Sequence, residues 1–221
     1  MSSTDEGGAS TAAGAHDFDV ASSETIYDGA IVALRVDDVV MPGGRTAKRE
    51  VVEHHGAVAV VAVDDAGRVA MIRQYRHPVG RRLLELPAGL LDGGPDETAL
   101  VAAQRELAEE VDLAADDWAV LADLVLSPGF CDEALRVYLA RGLHELPEAK
   151  RHDEEADLAL EWVDLDTATR MIGTGEIVNA TAVAGILAAA AAIADPTLLR
   201  GNDSEWVDEP TAFTRRRDAR N

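Results

Sequence analysis

The chain has 221 residues, 47% of them hydrophobic but only 4% aromatic. That suffices for one domain of roughly 150–180 residues plus tails, packed mainly by alanine, valine and leucine. A formal charge of −21 and a pI of about 4.5 exclude a non-specific nucleic-acid or anionic-membrane surface. The single cysteine, Cys131, excludes an intrachain disulfide and a multi-cysteine zinc site. The N-terminus has no basic region followed by an apolar run, and the longest apolar segment is too short to span a bilayer. The expectation is a soluble cytoplasmic protein.

Residues 1–19 are mostly Ser, Thr, Gly, Ala and Asp, a composition that predicts disorder. Strand patterning begins at 22–40, clearest at Ile31-Val32-Ala33-Leu34-Arg35-Val36. Pro42-Gly43-Gly44 turns the chain back into a hairpin partner at 49–54. The continuous apolar run 57–63 predicts a strand buried on both faces, and Asp64-Asp65-Ala66-Gly67 turns it into a second strand at 69–75. A short segment, 83–86, ends at Pro87-Ala88-Gly89.

Residues 89–113 carry the strongest chemical signal. A glycine-rich turn leads into a helix on which Glu106, Glu109 and Glu110 fall within about 100° of one another. Leu100, Ala103, Leu107 and Val111 form an adjacent apolar stripe. Like charges at these spacings repel. They are either a solvated acidic face, with Arg105 as counter-ion, or ligands for a hard divalent cation, which binds carboxylate oxygens and substrate phosphates.

Further strands are predicted near 118–125, 134–140 and 158–163. A Ser127-Pro128-Gly129-Phe130 loop joins the first two, and a charged stretch at 145–157 precedes the third. A short helix spans 164–172, with Asp164 or Asp166 as its N-cap. The last helix, 179–194, is stopped by Asp195-Pro196. Beyond it the chain reads as a solvated tail ending in Arg215-Arg216-Arg217. His54, His55 and His77 lack zinc-site spacing and read as structural or surface residues. Strands on both sides of one central helix, with helices late in the chain, define an α+β fold with a mixed sheet between helical layers.

The string 89–113 resembles the Nudix box, G-x5-E-x7-R-E-U-x-E-E-x-G-U, with U apolar. Arg105-Glu106-Leu107-Ala108-Glu109-Glu110 fills R-E-U-x-E-E, seven residues lie between Glu97 and Arg105, and Leu113 fills the last apolar place. Two places depart from the pattern. Seven residues, not five, separate Gly89 from Glu97, and Asp112 stands where the box has glycine. Gln74-Tyr75-Arg76, Glu85-Leu86-Pro87-Ala88-Gly89 and Ser127-Pro128-Gly129 resemble the ADP-ribose pyrophosphatase branch of that family.

The resemblance implies an α/β/α sandwich with a mixed sheet as catalytic domain at 56–195, and an N-terminal antiparallel β subdomain at 20–55, often exchanged across a homodimer. It leaves 1–19 and 196–221 as tails. It implies Mg²⁺, with Mn²⁺ as a substitute, held by the Ala88 carbonyl, Glu106 and Glu110, with Glu109 close by. Arg105 would orient these glutamates and Glu97 would brace the loop or Arg105. Arg76 would grip substrate phosphates, with Glu85, Ser127 and Gly129 as further substrate-binding positions. Glu154 or Glu155 would be the general base or an extra metal ligand. The implied reaction splits ADP-ribose into AMP and ribose 5-phosphate. The alternatives are another nucleoside diphosphate sugar such as GDP-mannose or ADP-glucose, an oxidised-nucleotide hydrolase, and a non-catalytic nucleotide sensor.

Overall fold

The computed structural model describes residues 16–94, 97–147 and 157–218. Its first strands are β1 (Val20–Asp28), β2 (Val32–Val40), β3 (Thr46–His54) and β4 (Ala57–Ala62). Then come β5 (Arg68–Arg76), β6 (Arg81–Glu85), β7 (Ala88–Leu90) and helix α1 (Ala99–Val111). The second half holds β8 (Leu113–Val125), β9 (Ala134–Glu145) and β10 (Ala159–Asp164). It closes with helices α2 (Leu165–Thr174), α3 (Ala180–Ala194) and α4 (Ala212–Asp218).

The apolar run of β4 is buried at all six positions, because both faces of the sheet are covered. On one face Ala57, Ala59 and Val61 pack with Ala182, Ile186 and Ala189 of α3. On the other, Val58, Val60 and Ala62 pack with Ala102, Ala103, Leu107 and Val111 of α1. The result is a mixed sheet of order β7-β4-β9-β8 between two helical layers. Its central pair, β4 and β9, is parallel, while β7 and β8 pair antiparallel at the edges. A second sheet, β10-β5-β6, is antiparallel throughout. Helix α3 sits close because it carries Gly185 over the sheet: a Cβ there would lie 2.7 Å from Leu86 Cδ1 and 3.1 Å from Val61 Cγ2.

The N-terminal residues form an antiparallel meander, β1-β2-β3. Residues 16–19, included in the expected disordered tail, are placed alongside it. The Val40 N–H donates to the Asp19 carbonyl at 2.8 Å, and His16 Nε2 lies 2.9 Å from the Val40 carbonyl. Residues 1–15 lie outside the described residues. All nine residues of β1 are exposed at the sheet's outer edge.

The end of the chain corrects the expectation of a solvated tail. Trp206 and Phe213 are buried. Arg136 donates to the carbonyls of Ser204 and Glu205, at 2.9 and 3.0 Å, and its guanidinium lies 5.0 Å from the Trp206 ring centre. Two aromatic anchors and a buried arginine outweigh the polar composition of this segment. Among the described residues no helix is long and apolar enough to cross a membrane.

The helix ends follow local chemistry. Of the two candidate caps for α2, Asp164 accepts the Thr167 N–H at 3.0 Å. Asp112 ends α1 in the left-handed region, at φ 54°. A side chain in that conformation costs roughly 1 kcal/mol relative to glycine. Asp112→Gly is therefore expected to raise the melting temperature by about 2–4 °C with kcat unchanged. A thermal melt and a rate assay check it; a large gain in kcat at constant melting temperature would contradict it.

Candidate active site

Helix α1 begins where the Thr98 hydroxyl accepts the Val101 N–H, and its apolar stripe seats it on β4. That seating turns Glu106 and Glu110 inward, only 8% and 7% exposed. They are therefore not a solvated face. Glu110 accepts the Ala88 N–H at 2.9 Å. Glu106 lies against the backbone of Gly89, where an added Cβ would fall inside its carboxyl group. Burial pushes the Glu106 carboxyl above its ordinary pKa, although Arg105 pulls the other way.

Arg105 is the hub of the site. It donates to Glu97 at 2.8 Å, to Glu106 at 2.6 Å and to Glu109 at 3.2 Å, and also to the Leu90 carbonyl at 3.3 Å. The Glu97 bond, ahead of the charge of Glu106, raises the guanidinium pKa further. Glu97 in turn accepts the Gly93 N–H at 3.0 Å, and Arg105 holds its carboxyl below the ordinary range. Glu97 thus ties the loop to the arginine. Glu109 is the most accessible of the box glutamates that Arg105 touches, its side chain 46% exposed.

Arg76 and Glu85 form a second pair beside this cluster. Arg76 Nη2 donates to Glu85 at 2.7 Å and its Nε at 3.1 Å; Glu85 is buried while the arginine side chain is 40% exposed. Both line a cleft of about 670 Å³ with Ala88, Gly89, His54 and Glu133. Gly89 belongs to both places, one side against Glu106 and the other open to the cleft. The structure therefore brings together Ala88, Arg105, Glu106, Glu109 and Glu110, with Arg76 and Glu85 next to them.

Other expected positions are placed differently. The Ser127 carbonyl accepts the N–H groups of Phe130 and Cys131, closing a turn that is stitched to β3 by a Val52 N–H bond to the Phe130 carbonyl. Gly129 lines a separate hollow with Arg49, Asp208 and Pro210, not the cleft with Arg76. Glu154 and Glu155 lie outside the described residues. Sequence patterning did not single out His54 and Glu133 as cleft residues. The His54 ring at the end of β3 and the Glu133 carboxylate in the loop before β9 meet 3.8 Å apart, a pairing with no periodic signal.

The donor set suits a hard divalent cation. Two buried carboxylates and backbone oxygens beside a cleft match ions that take one or two carboxylates and complete their shell with water and phosphate. Among the described residues no three His, Cys, Asp or Glu side chains converge on one point. Glu106 is turned to Arg105 and Glu110 to the Ala88 N–H.

A mixed sheet between two helical layers, with these glutamates keyed to Arg105 under a glycine turn, is the arrangement of a Nudix hydrolase, and the chain belongs to that family: residues 53–183 match the NUDIX domain. Residues 19–52 match the nucleoside diphosphate sugar hydrolase N-terminal domain. The chain is 54% identical to an ADP-ribose pyrophosphatase of Mycobacterium tuberculosis, over 91% of this chain and 97% of that one. It is 39% identical to an ADP-ribose pyrophosphatase of Bacillus subtilis, over 72% and 85% respectively. It is 38% identical to a methanol dehydrogenase activator of Bacillus methanolicus, over 74% and 88%. Its fold is similar to a crystal structure of an ADP compounds hydrolase, with TM-score 0.70 and 22% identity, over 82% of this chain and 96% of that one. Nudix hydrolases use divalent metal ions.

Proposed function

We propose that the protein hydrolyses the pyrophosphate bond of ADP-ribose to AMP and ribose 5-phosphate, as a cytoplasmic enzyme that depends on Mg²⁺. The observation that carries this reading is the position of Gly89 between the buried glutamates and the cleft that holds Arg76. A diphosphate in the cleft would lie between a guanidinium and the metal-ligating carboxylates. Glu106, Glu110 and the Ala88 carbonyl would hold the ion, with Glu109 beside them. Bound there, it supplies charge neutralisation and activation of water.

The chain's own residues do the rest. Glu85 fixes the Arg76 guanidinium through two bonds, so little freedom is lost when it grips phosphate oxygens. Arg105 keeps Glu106 and Glu109 oriented. Water adds to one phosphorus, the bridging P–O bond breaks, and AMP and ribose 5-phosphate leave. Glu154 or Glu155 takes the proton of the attacking water. A general base contributes about 10²–10⁴-fold. Glu154→Gln or Glu155→Gln should therefore lower kcat at least about tenfold with little change in KM. Full turnover in both variants would move the base elsewhere.

The primary test is AMP release from ADP-ribose with and without Mg²⁺ or Mn²⁺, run beside GDP-mannose, ADP-glucose and a nucleoside triphosphate. Faster turnover of another sugar would reassign the substrate. Tight binding of ADP-ribose without turnover would favour a sensor.

The protein acts as a homodimer joined through residues 20–55. The fully exposed edge strand β1, with Val20, Ile26 and Tyr27 uncovered, supports this, since unpaired strand edges are templates for association. Removal of residues 1–55 should abolish dimerisation and ADP-ribose binding together. A monomeric truncation that binds normally would refute the role.

A further inference from the structure

The stretch Glu53–Ala57 at the end of β3 has two sides with different neighbours. His54 and Ala57 line the substrate cleft, and His54 Nδ1 lies 3.8 Å from Glu133 on the opposite wall. The residues between them are held from outside by the end of the chain. Arg216 clasps the buried carboxylate of Glu53 with two bonds, at 2.7 and 2.8 Å, and reaches Thr25 of β1 at 2.7 Å. Arg35 of β2 grips the same carboxylate at 2.6 Å. The buried His55 ring meets Phe213 edge-on, centres 4.3 Å apart, and its Nε2 lies 3.3 Å from Arg217. Gly56, at φ 81°, passes so near Pro210 that a Cβ would lie 3.0 Å from its Cδ.

We propose that residues 210–217 are a buttress for the cleft wall, and that Arg216 and Phe213 are positioning residues acting on substrate binding through Glu53 and His55. Adjacency along the chain carries the argument. The buttress contacts at Glu53, His55 and Gly56 each fall next to a residue that lines the cleft, His54 or Ala57, so a shift of Glu53 or His55 is passed directly to its neighbour. A doubly bonded guanidinium on a buried carboxylate resists such a shift, because releasing it leaves Glu53 with Arg35 as its remaining charged partner. Neither Arg216 nor Phe213 lines the cleft.

The substrate in this inference rests on the functional reading above, so its test has a readout that needs no substrate. Full-length Arg216→Ala, Arg216→Lys and Phe213→Leu would be compared by amide hydrogen exchange and by steady-state kinetics. Arg216→Ala should speed exchange at residues 53–57 by on the order of tenfold, with β5 and β6 unchanged. It should raise KM for ADP-ribose about five- to tenfold with kcat within about twofold, and Arg216→Lys, which keeps one ion pair, should recover part of both. Phe213→Leu should give the same split. Unchanged exchange at 53–57, exchange that rises throughout the chain, or an unchanged KM despite local loosening would each overturn the buttress. If the unaltered protein does not turn over ADP-ribose, the functional reading fails, and the exchange comparison decides the buttress alone.

Discussion

Glu106→Gln is expected to lower kcat on ADP-ribose by about 10²–10⁴-fold, the several kcal/mol that a metal-held charge contributes to a transition state. The same change should raise the melting temperature of the metal-free protein. Glu106 is buried, and burial raises its carboxyl pKa in the folded chain. A group whose folded pKa lies above its unfolded value disfavours folding at pH above both, because ionisation is easier in the unfolded chain. Glutamine removes that charge and keeps an oxygen for the 2.6 Å bond from Arg105. Addition of Mg²⁺ should reverse the order. The unaltered protein would gain stability by binding the ion, and the variant far less. Thermal melts at several Mg²⁺ concentrations, paired with AMP release, check both halves. A variant with full turnover, or one equally stabilised by Mg²⁺, would remove Glu106 from the site.

Gly89→Ala should reduce kcat by about 10²-fold or more, because a displacement near 1 Å at reacting groups has that effect. Gly89 lies in β7 opposite Val58 of β4, without positive φ, so alanine meets no conformational obstacle there. The obstacle is steric: the new methyl would occupy the place of the Glu106 carboxyl. Either the carboxylate leaves its position or β7 moves away from α1. Overpacking of this kind costs roughly 1–3 kcal/mol of stability, which leaves a folded protein with a misplaced Glu106 carboxylate. A near-normal kcat would show that Glu106 works from another rotamer.

The residues that could be read in advance are those whose role is written in local pattern. The period-2 and continuous apolar runs gave β4 and β5, and the 3.6-residue stripe gave α1 with its buried face. The box glutamates were legible because one helix turn brings them together. What sequence could not supply was contact between distant segments. Residues 197–221 read as a solvated tail because they form a chain terminus with no periodic apolar pattern, whereas burial is decided by Trp206 and Phe213 meeting partners far away in the chain. His54 and Glu133 meet in the cleft from segments about 80 residues apart, which no single segment encodes. Gly129 follows the box-like logic of its loop in sequence, yet the turn at Ser127 directs it to a different hollow.

The central parallel pair also governs the order in which this chain can fold. Ala57 pairs with Leu135 across roughly 80 residues, whereas β1, β2 and β3 pair through short turns. During synthesis the meander has every partner it needs within the first quarter of the chain. Strand β4, apolar on both faces, has none on its β9 side until residue 140 has emerged, and the last anchors, Trp206 and Phe213, arrive later still. Until then β4 is an exposed, flat, aggregation-prone segment. A chain truncated before β9 should therefore expose β4 and precipitate, while residues 1–55 remain in solution.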